Sequence, residues 1–151
     1  MSNGTSNDLR LTPLSIIGMV SISCGTLLRV WCYRTLKNLF TFDITICENH
    51  KLMTTGPYSI VRHPSYVGML MLNIGIVCWY GTRGSWIRES GVLGTVMGGV
   101  FFGGFEVWNL VVMLALLERG PVEDAALKKT FGKEWEDYAR RVPYSFIPGL
   151  W

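Results

Sequence analysis

Three long apolar segments alternate with polar segments along this chain. They comprise residues 14–33, 66–80 and 91–117. Crossing the hydrocarbon core of a bilayer takes about 20 helical residues. The pattern therefore predicts one all-α domain: a polytopic integral membrane protein with about three transmembrane helices. The second segment is short for a full span. Either residues up to Trp86 extend it, or it lines a cavity with its polar neighbours.

The third apolar segment contains one acidic residue, Glu106, and two glycine pairs, Gly98–Gly99 and Gly103–Gly104. A carboxylate inside a bilayer is costly, so Glu106 is expected to face protein or a polar cavity. The glycines are expected to let helices approach closely.

Two polar regions connect and follow these segments: residues 34–65 and the tail, residues 118–151. Within the first, Phe40–Ile46 alternates apolar and polar residues, as a strand does. A lone strand at a membrane surface leaves its backbone groups unpaired. We therefore expect an extended or irregular segment that packs against helices.

In the tail, Gly120–Pro121 predicts the end of the third helix. Pro121 suits the first turn of a new helix, with Glu123 and Asp124 near its positive end. This new helix is predicted to run to about Arg141. An apolar stripe marks it as an amphipathic helix. The stripe consists of Leu127, Phe131, Trp135 and Tyr138.

Composition supports a membrane protein and argues against a nucleic-acid-binding protein and against a zinc-binding or disulfide-rich one. Only 17% of the residues are charged, against about 25% in soluble domains. The net charge is +3, and the basic residues are interleaved with acids, so no nucleic-acid-binding stripe is predicted. The four cysteines have no C-x-x-C spacing, which argues against zinc or a disulfide framework.

The distribution of basic residues predicts the orientation in the membrane. With three spans, residues 34–65 and the tail lie on one side, and they carry Arg34, Lys37, Lys51, Arg62, Arg119, Lys128, Lys129, Lys133, Arg140 and Arg141. The other side carries Arg10, Arg83 and Arg88. The loop and the tail are therefore expected to be cytosolic.

The stretch Gly56–Gly68 is the strongest candidate for chemistry. It places Arg62 and His63, with two prolines and two tyrosines, directly before the second apolar segment. Ionisable side chains at the edge of a membrane helix are costly, so they indicate a functional site.

This stretch resembles the cofactor motif of the isoprenylcysteine carboxyl methyltransferases. The matching residues are Gly56-Pro57-Tyr58 and Arg62-His63-Pro64-Ser65-Tyr66-Val67-Gly68. The tail resembles the C-terminal signature of the same family. It matches at Arg119, Glu123-Asp124, Leu127, Phe131-Gly132, Trp135, Tyr138, Arg141-Val142-Pro143 and Pro148. The resemblance runs from about Leu28 to the end of the chain.

The resemblance implies S-adenosylmethionine as methyl donor and the carboxylate of a prenylated C-terminal cysteine as acceptor. It also implies an endoplasmic reticulum membrane, with membrane lipids as partners and no metal. By position, the cofactor contacts would be His50, Lys51, Leu52, Met53, Tyr58, His63, Pro64, Ser65, Tyr66 and Glu123. Arg119 would hold the substrate carboxylate, with Arg119 and Glu123 as the catalytic pair.

The chain departs from the family in three ways. It has room for about three spans, where family members have five or more. Asp124 stands where glutamate is usual. Gly120–Pro121 is expected to keep Arg119 and Glu123 from lying one turn apart on a continuous helix.

Two alternatives stay open. One is a methyltransferase of phospholipid or other lipid amines, which shares much of the pattern and would need Glu123 as a base. The other is a shortened, non-catalytic member of the fold. A carboxylate acceptor is already ionised at neutral pH and needs a cation such as Arg119 rather than a base.

The predicted orientation can be mapped with glycosylation acceptor sites inserted singly into residues 34–65, 81–90 and the tail. We expect a glycan only on the insertion at 81–90 when the chain is made with microsomes. Glycosylation of exactly one of the other two insertions would put loop and tail on opposite faces and contradict the prediction.

Overall fold

The computed structural model describes residues 9–36 and 51–149 of the chain. The predicted extended segment Phe40–Ile46 and the candidate residue His50 lie outside the described residues. Within them the structure is helical, with no strand. Its α-helices are α1 (Pro13–Leu36), α2 (Pro64–Gly81), α3 (Trp86–Glu89), α4 (Val96–Phe131) and α5 (Lys133–Arg141). Two short 3-10 helices lie at Gly56–Ser59 and Val92–Gly94.

Among the described residues, three helical segments are long and apolar enough to cross a membrane. They are Pro13–Leu36, Pro64–Glu89 and Val96–Phe131. The most apolar part of the third has 0% of its residues buried. So large an unburied apolar surface is rare in soluble monomers, whereas lipid covers it at no cost. The prediction of an all-α integral membrane protein with three such helices is confirmed.

Hydroxyl side chains cap the N-termini of two of these helices, α1 and α3. Before α1, the Thr12 hydroxyl accepts from the backbone N–H of Ser15 at 3.2 Å, and the Ser15 hydroxyl accepts from the Thr12 N–H at 2.8 Å. This reciprocal pair satisfies backbone donors that the first helical turn leaves open. Ser85 caps α3 in the same way, by accepting from the Arg88 N–H.

Contacts divide the chain into two compact units. The first contains residues up to 25 and 70–114, and the second contains residues 26–69 and those from 115 onward. In the first unit, α1 and α2 meet at glycines. A Cβ atom added to Gly75 would lie 2.7 Å from the carbonyl oxygen of Gly18 and 2.9 Å from the backbone nitrogen of Ile22. The absence of a side chain at Gly75 therefore permits this close approach.

Glu106 lies on α4 in the first unit, and it accepts a hydrogen bond from the Tyr80 hydroxyl of α2. Of the two surroundings expected for Glu106, protein or a polar cavity, the structure shows a protein partner. A neutral donor satisfies the carboxylate without a second charge, which reduces the cost of holding it between apolar helices.

The prediction that Gly120–Pro121 ends the third helix is wrong. Helix α4 continues through Pro121 to Phe131, so Glu123 and Asp124 lie inside it and not in the first turn of a new helix. Proline removes one backbone hydrogen bond and crowds the preceding turn. Long membrane helices tolerate this where neighbouring groups and packing compensate. Arg119 and Glu123 therefore do lie about one turn apart on a continuous helix.

The break occurs instead at Gly132, and the predicted single helix from Pro121 to Arg141 is divided there. Gly132 has a φ of +50°, a conformation that side chains disfavour. Helix α5 then runs from Lys133 to Arg141. Leu127 and Phe131 of the predicted stripe lie on α4, whereas Trp135 and Tyr138 lie on α5.

The glycine contact between α1 and α2 can be tested with Gly75→Ala. The added methyl group would force backbone atoms apart, and such overpacking typically costs about 1–3 kcal/mol. We expect a lower unfolding temperature in detergent. Gly103→Ala is the matched control, because nothing lies within 4 Å of a Cβ atom there. It should be neutral or mildly stabilising, since alanine favours helix. Equal destabilisation by both changes would contradict the close approach.

Candidate functional site

All of the described site residues lie in the second unit. Tyr58 belongs to the 3-10 helix Gly56–Ser59, whose second residue is Pro57. The Tyr58 hydroxyl hydrogen-bonds with the Cys32 thiol of α1. The backbone carbonyl of Tyr58 accepts a 2.8 Å hydrogen bond from the Tyr138 hydroxyl of α5. The short turn is thereby fixed to two helices within this unit.

Tyr66 is the centre of the candidate site. Its hydroxyl donates to Oε2 of Glu123 at 2.8 Å and also hydrogen-bonds with the Arg119 side chain. Glu123 is close enough to Tyr58 to disfavour ionisation of that phenol. The residues that the sequence singled out as catalytic therefore meet at one hydroxyl group. This arrangement requires α4 to stay helical between residues 119 and 123.

His63 lies behind this group and is only 5% exposed. Its Nδ1 is 3.7 Å from the Glu123 carboxylate, and its Nε2 is 3.2 Å from Oδ1 of Asp124. Its ring stacks on Tyr66 at a centroid distance of 5.4 Å and contacts Phe146 at 5.5 Å. The imidazole therefore sets the positions of its neighbours more than it offers a surface to a ligand.

Arg62 extends the cluster to the C-terminal segment. Its Nε donates to Oδ2 of Asp124 at 3.0 Å. Its Nη1 donates to the carbonyls of Val142 and Pro143 at 3.1 and 2.9 Å. Its Nη2 donates to the Ser145 hydroxyl at 2.6 Å. Arg62 thus joins the motif, α4 and the segment after α5.

The other motif residues have varied surroundings. Pro64 is fully buried as the first residue of α2, and Ser65 is half-buried. Lys51 is exposed, and Leu52 and Met53 are half-buried, in an irregular segment ahead of the 3-10 helix. The contacts that join Arg119, Glu123, His63 and Tyr66 do not involve these five residues.

Sequence reasoning missed three parts of the cluster: the contacts of Arg62 with the C-terminal segment, the ring of Phe146, and Gly120, where an added Cβ atom would lie 2.8 Å from Cζ of Phe146. The one available signal was a charged side chain before a membrane helix. Its partners lie 62 to 83 positions away, so local spacing could not identify them.

Burial changes the acidity of two tyrosines outside the apolar segments. It raises the pKa of Tyr138 from the ordinary 10.0 to about 12, with Arg62 partly opposing the change. Burial also raises the pKa of Tyr58. Both phenols are therefore neutral donors at any physiological pH.

Residues 16–82 match the model of the isoprenylcysteine carboxyl methyltransferase family. The chain is 33% identical to protein-S-isoprenylcysteine O-methyltransferase B of Arabidopsis thaliana, over 86% of this chain and 57% of that protein. It is 30% identical to a probable protein-S-isoprenylcysteine O-methyltransferase of Oryza sativa subsp. indica, over 89% of this chain and 61% of that protein.

A relative with a different name has the same identity to the chain, 30%, as the Oryza protein. The chain is 30% identical to the nickel-cobalt-cadmium resistance protein NccN of Alcaligenes xylosoxydans xylosoxydans, over 91% of this chain and 51% of that protein. The chain thus spans about half to three fifths of the length of these curated relatives. No solved structure matches it.

The raised pKa of Tyr138 predicts a loss of stability in alkali. A raised pKa means that folding favours the neutral phenol. This contribution is complete below the ordinary pKa of 10.0 and is lost as pH rises towards about 12. Tyr138→Phe should lower the free energy of unfolding near neutral pH by about 1 kcal/mol, the worth of one hydrogen bond. It should also weaken the alkaline decline.

Denaturant unfolding at several pH values measures both effects. Tyr144→Phe is the control, since Tyr144 is 37% exposed; it should leave the free energy of unfolding near neutral pH unchanged. An alkaline decline of the same size in wild type and Tyr138→Phe would rule out this role for Tyr138.

Proposed function

We propose that this chain is a member of the isoprenylcysteine carboxyl methyltransferase family, which its residues 16–82 and its relatives of 30–33% identity support. We propose that it transfers a methyl group from S-adenosylmethionine to the carboxylate of a prenylated C-terminal cysteine. The observation that carries this proposal is the meeting of Arg119 and Glu123 at the Tyr66 hydroxyl. The site thereby combines a cation suited to the acceptor with an anion suited to the donor.

The residues around Glu123 fit S-adenosylmethionine. Glu123 keeps 36% of its side chain exposed, so its carboxylate can accept from the hydroxyl or amino groups of a ligand. Tyr58 and Tyr66 offer aromatic rings and hydroxyls beside it. When bound, S-adenosylmethionine supplies an electrophilic methyl group.

We assign the other motif residues to the same site. His63 and Pro64 support it from the buried side, and Ser65 lies beside Tyr66 in the first turn of α2. Lys51, Leu52 and Met53, with His50 before them, form the segment that we propose approaches the cofactor from the 34–65 region.

The proposed acceptor needs binding and orientation but no base. A C-terminal carboxyl group has a pKa of roughly 3.3–3.7, so it is already ionised at neutral pH. The Arg119 side chain is exposed, and its planar guanidinium can hold a carboxylate through two parallel hydrogen bonds. Holding the nucleophile in one orientation while neighbouring side chains exclude water is the main catalytic contribution required of this chain.

An amine acceptor fits these surroundings less well. It would have to lose a proton to a base, and Glu123 is the nearby candidate. That carboxylate already accepts a hydrogen bond from Tyr66 and lies 3.7 Å from His63, so it is engaged with protein partners and is poorly placed to receive a proton from an amine. The Arg119 guanidinium would also repel an ammonium group.

We further propose that the site lies at the cytosolic face of the endoplasmic reticulum membrane. S-adenosylmethionine is water-soluble, whereas a prenyl chain partitions into lipid. A site at the edge of membrane helices, as expected for residues 56–66, gives both substrates access. The acceptor would approach from the bilayer.

Labelled S-adenosylmethionine tests the proposal directly. Membranes containing the full chain should transfer base-labile label to N-acetyl-farnesylcysteine. Arg119→Ala should lower kcat/KM for this acceptor by roughly 100-fold, because a lost pair of charged hydrogen bonds removes about 3 kcal/mol. Binding of S-adenosylhomocysteine should be largely retained.

Arg140→Ala is the matched control, since Arg140 is exposed on α5 and pairs with Asp137; it should leave activity unchanged. Label on phosphatidylethanolamine instead would support the amine alternative. Binding of S-adenosylhomocysteine with no acceptor turned over would indicate a non-catalytic protein. An equal loss of cofactor binding in Arg119→Ala would contradict the role given to Arg119.

A further inference from the structure

The segment after α5 is bound along the motif by both backbone and side chain. The backbone N–H of Arg62 donates to the Tyr144 carbonyl at 3.0 Å, and that of His63 donates to the Ser145 carbonyl at 2.8 Å. The Arg62 side chain adds its bonds to the carbonyls of Val142 and Pro143 and to the Ser145 hydroxyl. We call residues 142–146 the C-terminal wall.

Phe146 is the apolar anchor of this wall and is only 6% exposed. Its ring centroid lies 5.5 Å from that of His63 and 6.1 Å from that of Tyr66. A Cβ atom added to Gly120 would lie 2.8 Å from Cζ of Phe146. Glycine on α4 therefore leaves the space that the ring occupies, directly behind Tyr66 and His63.

The role of Arg62 differs from that of Arg119. A guanidinium has five N–H donors, and four contacts of Arg62 within this unit engage its Nε, Nη1 and Nη2 atoms. Its side chain is 15% exposed. Arg62 is therefore committed to protein partners and is poorly placed to bind a substrate carboxylate.

Asp124 connects this clamp to the site, because it follows Glu123 on α4. The Arg62–Asp124 ion pair fixes the rotation of that helical turn, and the same rotation sets where Glu123 meets Tyr66. Loss of the clamp should therefore disturb the Glu123–Tyr66 contact without removing either residue.

We propose that the C-terminal wall is a positioning element of the cofactor site and that Arg62 and Phe146 are the residues through which it acts. This inference rests on the proposed function, since it assigns the wall to the binding of S-adenosylmethionine. Arg62 orients Glu123 through Asp124, and Phe146 supports Tyr66 and His63 from the buried side. Neither residue touches the reacting groups.

Steady-state kinetics of the full-chain enzyme separates positioning from simple loss of folded protein. Arg62→Lys and Phe146→Leu should each raise KM for S-adenosylmethionine roughly tenfold, a change of about 1.4 kcal/mol. KM for N-acetyl-farnesylcysteine should stay within about twofold of wild type. If the residues only stabilised the fold, the variants would contain less active enzyme, so the apparent kcat would fall and both KM values would stay unchanged. That result would overturn the proposal.

The double variant and a neighbouring control sharpen the test. If both residues act through one wall, the double variant should raise KM by clearly less than the product of the single effects. A fully multiplicative effect would show that they act separately. Ile147→Ala is the control, because Ile147 adjoins Phe146 and is 44% exposed; it should leave both KM values unchanged.

Hydrogen exchange tests the wall independently of turnover. The amide hydrogens of Arg62 and His63 bond to the wall, so they should exchange faster in Arg62→Lys and Phe146→Leu than in wild type or Ile147→Ala. Unchanged exchange, even in an active enzyme, would show that Arg62 and Phe146 do not hold the wall against these amides. Faster exchange in a protein that binds no S-adenosylhomocysteine would refute the proposed function and the wall's role in cofactor binding. Only the packing of the wall against Arg62 and His63 would then stand.

Discussion

The continuity of α4 through Pro121 is the constraint on which the candidate site depends. On an α-helix, residues four positions apart face the same side, so Arg119 and Glu123 can both reach Tyr66 only if residues 119–123 stay helical. Proline inside a helix costs about 3 kcal/mol or more. The contacts of the following turn can offset this cost: a hydrogen bond to a charged group contributes about 1.5–3 kcal/mol, and both Glu123 and Asp124 receive one. Phe146 packs against the adjacent Gly120.

The hydrogen bonds and the ion pair of Arg62 contribute more to the placement of chain segments than to the free energy of folding. A partly buried ion pair such as Arg62–Asp124 roughly recovers the cost of removing its charges from water, and apolar residues often do as well. Arg62 differs from a simple pair because its planar fork also satisfies two backbone carbonyls and a hydroxyl. Lysine is a point charge and cannot meet these directions together. The arrangement therefore specifies one relative placement of three chain segments.

The predictable features were those with a signature in local sequence. Apolar length identified the three membrane helices, and the cost of a buried carboxylate indicated that Glu106 has a protein partner. The same local reasoning failed at Pro121, because tertiary contacts from residues 62, 66 and 146 outweigh the intrinsic tendency of proline to end a helix. It also missed Gly132 as the break, since only the backbone conformation distinguishes that glycine from Gly120. Arg62 and Phe146 acquire their roles from partners distant in sequence.

Arg62 of the motif and Arg119 of the tail differ in role because their surroundings differ, although the residue type is the same. Arg62 and Arg119 carry the same group, yet Arg62 is nearly enclosed and bound to backbone, whereas Arg119 is exposed and hydrogen-bonds with the Tyr66 phenol. An enclosed guanidinium with its donors engaged can only hold protein in place. An exposed guanidinium one helical turn from a carboxylate can bind an anionic acceptor while that carboxylate serves a different ligand. Under the proposed function, Tyr66 of the motif would therefore contact the ligands and Arg62 would hold the protein in place, while Arg119 on α4 would bind the acceptor.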